Sequence, residues 1–138
     1  MKLIPVPSTH IDYAWDRDGA NCLAEACATS SGDITGDQLR MLLSRGERVL
    51  IRMEDDDGAA AGWGAVLVEQ LPNVRILTVT SMTAHNGHFE RFFEELKKLA
   101  RLYGCSKVRC AAKPAQARLY RQKVGFTPVY EILEVSAL

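Results

Sequence analysis

The chain has 138 residues, 47% of them apolar and 25% charged, with Lys+Arg and Asp+Glu balanced at 17 each. That length closes one core, so a single domain over residues 1–138 is expected, and the balanced charge gives no pull towards nucleic acid or an anionic membrane. No stretch approaches the roughly 20 apolar residues of a membrane helix, and "MKLIPVPSTH" lacks the apolar run of a secretory signal, so the expectation is a cytosolic protein.

In chain order, Leu3–Val6 reads as a short strand, confined to an edge or an end by Pro5 and Pro7. Ser8 or Thr9 can cap a first helical segment, "STHIDYAW", which Gly19 interrupts before the helix-forming run "ANCLAEACA". "SSGD" is a loop. Thr35 or Asp37 can cap "GDQLRMLLS", where Leu39, Leu42 and Leu43 share a face and Gly46 is the natural stop.

The period then changes to that of strands. Arg48–Glu54, the turn Asp55–Gly58 and Gly62–Gln70 read as a hairpin. Leu71–Asn73 turns again into Val74–Ser81, in which Ile76 and Thr78 alternate in facing with Leu77 and Val79, completing an antiparallel meander. The clearest helix follows: Phe89, Phe92, Phe93, Leu96, Leu99, Ala100 and Tyr103 form one apolar stripe, and Gly104 ends it. Lys107–Ala111 is a short strand, Pro114–Val124 a helix closed by Gly125, and Pro128–Val135 a last strand. The order β-α-α-β-β-β-α-β-α-β defines a mixed α/β (α+β) chain, with a mostly antiparallel sheet flanked by helices and one strand–helix–strand crossover.

Several local patterns have plain structural explanations. Cys22/Cys27 and Cys105/Cys110 lack CxxC spacing and are expected to be small buried apolar residues. His85-x-x-His88 has no third ligand beside it, so no metal site is expected. "DDDG" lacks the rest of a calcium loop and reads as a hairpin tip. "GWGA" (Gly62–Ala65) reads as a bulge or a close backbone approach. Trp15 and Trp63 are weighed as acceptor-pocket walls against surface aromatics.

"TSMTAHNGHFERFFEEL" (Thr80–Leu96) carries the chemistry. A strand ends here and a helix begins, where free backbone N–H groups and the helix dipole favour an anion. This stretch, the element order and the final "LYRQKVGFTPVYEILEV" resemble the GCN5-related N-acetyltransferase superfamily. The family's loop signature is broadly V-x-P-x-x-R/Q-x-x-G-x-G/A. With Val79 in the first position, Ser81 falls on the proline, Ala84 on the Arg/Gln, Gly87 on the first glycine and Phe89 on the second. Near the end, Gly125–Phe126 matches the family's G-F. Arg121 occupies its tyrosine position, Tyr120 lies one residue early, and Pro114 replaces its asparagine.

The resemblance implies transfer of an acetyl group from acetyl-CoA, as co-substrate, to a small-molecule or peptide amine. The cleft would lie between the splayed strands Val74–Ser81 and Lys107–Ala111. Val79 and Ser81 would offer backbone partners to pantetheine, and Asn86, Gly87, His88 and Phe89 would offer N–H groups to the pyrophosphate. Tyr120 would be the acid that returns a proton to the leaving thiolate. A base is not singled out among Glu54, Glu69, Glu131 and Glu134; proximity alone supplies much of the rate of such transfers. The alternative is a module that keeps the fold and has lost transfer, as among small bacteriophage proteins of this fold. The apolar "VYEILEV" is a strand able to pair across a homodimer.

Overall fold

The computed structural model describes residues 1–28, 32–84 and 87–138. His85, Asn86 and part of the expected Ser30–Asp33 loop lie outside the described residues. The elements are β1 (Lys2–Val6), α1 (Ile11–Asp16), α2 (Leu23–Ala28), α3 (Gly36–Ser44), β2 (Val49–Glu54), β3 (Ala60–Gln70), β4 (Arg75–Ala84), α4 (Phe89–Leu102), β5 (Lys107–Cys110) and α5 (Pro114–Val124). Single 3-10 turns lead into α1 and α2. The interruption expected at Gly19 therefore divides the first helical stretch into α1 and α2.

The five strands lie in the order β1-β2-β3-β4-β5. Neighbours are antiparallel except β4 and β5, which run parallel across the α4 crossover. Thr35 caps α3 through a reciprocal pair: its Oγ1 accepts from Gln38 N–H at 3.2 Å, and Gln38 Oε1 accepts from Thr35 N–H at 2.9 Å. The "DDDG" turn is closed by Asp55, whose Oδ1 accepts from the N–H groups of Asp57 and Ala59 at 2.9 Å each.

The sheet separates two apolar layers. On one face α4 buries Phe92, Phe93 and Leu96 against Ile51, Met53, Val66, Leu77 and Val79. On the other, α1–α3 bury Ile11, Trp15, Leu23, Leu39 and Leu43 against Leu50, Trp63 and Ala65. Strand alternation produces this division, as in Trp63 and Ala65 against Val66 on β3. Trp63 is 1% exposed and Trp15 5%, so both belong to the core and neither walls an acceptor pocket. Gly64 explains part of "GWGA": a Cβ there would stand 2.6 Å from Phe92 Cζ. The missing side chain is the space into which the α4 ring fits.

Most strands match expectation to within one or two residues at each end, and two departures are larger. β4 continues three residues further, to Ala84, where it still pairs with Gly62. The strand expected over Pro128–Val135 does not form: no regular element follows α5, and the sheet ends at β5. Alternating β-branched residues favour a pleated, half-buried surface, but a strand also needs a paired neighbour. Residues 128–138 have none, and Ile132, Leu133 and Val135 are 82%, 84% and 91% exposed.

Candidate active site

The site begins where β4 loses one neighbour. The β4–β5 ladder runs from Ile76↔Lys107 to Val79↔Cys110 and stops there. The β3–β4 ladder continues to Ala84, with a bulge: Ala65 pairs with Ser81 and Val66 with Val79, leaving Thr80 as the extra residue. Thr80 Oγ1 donates to Ala65 O at 3.1 Å. A bulge bends and twists its strand. Here it lies where β5 departs, so the two parallel strands open into a wedge.

That wedge is a cavity of about 660 Å³. Val79, Thr80, Ser81 and Met82 of β4 form one wall. Cys110–Lys113, with Gln116 and Tyr120 of α5, form the other. Ala26, Asp33, Ile34, Leu42 and Arg48 line it from the α2–α3 side. Val79 is the last residue of the parallel ladder, and its side chain is buried in the α4 layer. Ser81 lies just past the bulge, its Oγ 4.0 Å from Cys27 Sγ on α2. Cys22 Sγ similarly meets Thr83 Oγ1 at 3.3 Å, so α2 lies along the far half of β4.

At the end of β4 the chain turns into α4. Gly87 is exposed at φ +76°, and among the described residues beyond its chain neighbours no atom lies within 4 Å of where a Cβ would be. Left-handed backbone is strained for residues with a side chain. His88 follows as the N-cap, with no side-chain cap bond, and its carbonyl accepts from Phe92 N–H at 2.9 Å. The first N–H groups of an α-helix have no acceptor within the helix, and Phe89 supplies the first of them. Its ring packs onto Tyr120, with centroids 5.9 Å apart, and against the α4 side of the core. Ala84, matched to the family's Arg/Gln, is a paired strand residue.

Tyr120 occupies an aromatic nest, its ring 5.1 Å from Phe93 and 5.8 Å from Phe126. Its hydroxyl is 3.8 Å from Met82 Sδ across the cleft. Burial, and secondarily Cys110, push its pKa above the ordinary tyrosine value. Arg121 is exposed, so Tyr120 holds the inward place despite the one-residue slip. Gly125 is the left-handed cap, its N–H donating to Tyr120 O at 3.1 Å. Cys110 stands beside this group, and burial pushes its thiol up to about 11. It is a neutral wall residue, not a thiolate nucleophile.

The acids weighed as bases lie elsewhere. Glu54 accepts from Arg52 at 2.7 Å, and Glu69 accepts from Thr78 at 2.6 Å. Glu131 and Glu134 are exposed on the final segment. Asp33 is the carboxylate among the described residues lining the cavity. Sequence reasoning passed over Thr80, Met82, Cys110 and Asp33. The run "TVTS" hinted at polar groups on a strand, but no local signal reveals a bulge or the packing of α2 against it.

No protein-family model matches the sequence, and comparison with curated protein sequences finds no significant relative. Solved structures define the class: the chain has the fold of the GCN5-related N-acetyltransferases. It is similar to the ribosomal-protein-alanine N-acetyltransferase of Brucella melitensis, at 14% identity and TM-score 0.66, covering 99% of each chain. It is also similar to an aminoglycoside 6'-N-acetyltransferase of Acinetobacter baumannii, at 12% identity and TM-score 0.62, covering 99% of this chain and 97% of that one. A third similar structure, an aminoglycoside N-acetyltransferase in complex with CoA, has 11% identity and TM-score 0.65 over 98% of this chain and 93% of that one.

Proposed function

We propose that the chain is an acyltransferase that binds acetyl-CoA in the β4–β5 wedge and acetylates an amine by direct transfer. The observation that carries this reading is the continuity of three features. The cleft opens at the Thr80 bulge, Gly87 leaves the start of α4 unobstructed, and the Tyr120 hydroxyl faces Met82 across the gap. Fold likeness alone does not assign activity; the site supplies the chemical argument.

The residues present fit the co-substrate. The open edge of β4 beyond Val79 suits pantetheine, an extended chain of amides, which would pair there with the backbone around Ser81. The start of α4, from Gly87 through His88 and Phe89, suits a pyrophosphate: its N–H groups and helix dipole are favourable to anions. Asn86 completes the set inferred from sequence. Acetyl-CoA supplies the activated acyl group as a thioester.

The protein's own contribution is mainly positional. The wedge aligns two reactants and thereby reduces the entropic part of the barrier. Tyr120 carries its proton at neutral pH as any tyrosine does, burial raises its pKa further, and it can donate that proton at the departing sulfur. Asp33, on the α2–α3 side of the cavity, attracts the acceptor's ammonium, and water can carry the proton away. The similar enzymes name acceptors as different as aminoglycosides and ribosomal-protein alanine. The acceptor class assigned here is therefore an amine, on a small molecule or a peptide.

Calorimetric titration with acetyl-CoA and with CoA tests the reading. Micromolar binding that requires the pyrophosphate and is lost in Gly87→Trp supports it. Absence of binding at millimolar concentration of either compound sinks it.

A further inference from the structure

A second opening lies on the other side of β5. Among the described residues one edge of β5 is paired, to β4, and the opposite edge has no ladder partner. Beside it runs a groove of about 600 Å³, floored by Phe93, Val108, Val124 and Phe126. Lys97, Arg101, Lys107 and Arg109 also line it, and no acid does. Arg109 Nε is buried without a hydrogen-bond partner among the described residues. A buried donor in that condition calls for an acceptor.

The segment after α5 has complementary properties. Residues 128–138 contain Glu131 and Glu134 and no lysine or arginine. They expose Val129, Tyr130, Ile132, Leu133 and Val135. Among the described residues no backbone–backbone hydrogen bond extends past Phe126. The segment does not fill the groove of its own chain. Val129 forms part of the groove's wall, and Tyr130 lies under the Arg109 guanidinium at 6.0 Å. By Ile132 the chain has reached the cavity on the far side of Cys110.

We propose that this groove receives the 129–135 segment of a second copy, paired to β5, and that the exchange is reciprocal. Each copy then gains a sixth strand, and the apolar segment that is a poor strand alone becomes a covered one. An unpaired edge is a ready template for such an addition. A two-fold arrangement makes the two contacts equivalent. Glu131 and Glu134 supply carboxylates to a groove whose charged lining side chains are Lys97, Arg101, Lys107 and Arg109. The inference does not depend on acyl transfer.

Sedimentation of the full chain from about 1 to 100 µM, the range in which weak specific dimers dissociate, tests it. A dimer is expected. Glu131→Arg with Glu134→Arg (the segment variant) and Lys107→Glu with Arg109→Glu (the edge variant) should each weaken it at least about thirtyfold. Mixing the two variants should restore a one-to-one dimer, because both contacts are then between opposite charges. Lys107→Glu alone replaces the edge variant if Arg109→Glu proves unstable to heating. A monomer throughout, a dimer indifferent to both variants, or a mixture that fails to recover would each overturn the proposal. So would a monomer with hydrogen-exchange protection over 129–135, since its own chain would then fill the groove.

Discussion

The two halves of β4 differ in their strand neighbours and in their burial. Arg75–Val79 is laddered on both sides, to β3 and, from Ile76, to β5, and buries Leu77 and Val79 under α4. Thr80–Ala84 is laddered to β3 alone, and its side chains are half-buried hydroxyls, a thioether and an alanine. The first half stabilises the fold. The second has a ladder to β3 and, among the described residues, none on its other edge. The change occurs at one residue, Thr80.

Substitutions on the two sides should separate stability from ligand binding. The largest effect is expected in the closed half. Phe92→Ala empties the space above Gly64 and should cost about 3–5 kcal/mol, read as a lower denaturant midpoint with an unchanged slope. Gly87→Trp, in the open region, should cost about 1–2 kcal/mol, the strain of a side chain on left-handed backbone, well short of the Phe92→Ala loss, while weakening CoA binding about a hundredfold. An equal loss of stability in Gly87→Trp would erase the distinction. Tyr120→Phe should lower kcat by about ten- to a hundredfold and leave CoA affinity unchanged, since the ring contacts with Phe93 and Phe126 persist. A fall in affinity instead would make Tyr120 a packing residue.

The smallest effects concern pH. Tyr120's raised pKa places the alkaline limb of the rate profile above the ordinary tyrosine value, because the active form is the protonated one. A limb below that value would exclude it as the acid. Cys110 adds a stability term of definite sign. Its folded pKa, about 11, is above the ordinary thiol value of 9.0. The contribution is thus complete below pH 9.0 and lost as pH rises towards 11. In Cys110→Ala the slope of stability against pH should be shallower in that window.

Much of the fold was legible because its signals are local. Alternation marked the meander, the stripe from Phe89 to Tyr103 marked α4, and Thr35 marked the start of α3. The last strand was misread for a physical reason: propensity belongs to the segment, whereas pairing belongs to a neighbour that the sequence does not show. The site was half legible. Gly87 and Phe89 lie two residues apart at a strand–helix junction. Thr80, Met82, Cys110 and Asp33 meet only through the bulge and the divergence of β5. Tyr120 shows both sides, since its facing is set by where α5 begins and by the cap at Gly125, not by its distance from Gly125–Phe126 alone.

The notch at Gly64 acts as a keyway for α4. A ring seated in it stops the helix from turning about its axis and from sliding along it. Phe92 lies three residues after Phe89, so the same peg indexes the helix's first free N–H groups against the strand that ends at Ala84. A substitution at Gly64 should therefore shift the start of α4 against the end of β4 before it unfolds the protein.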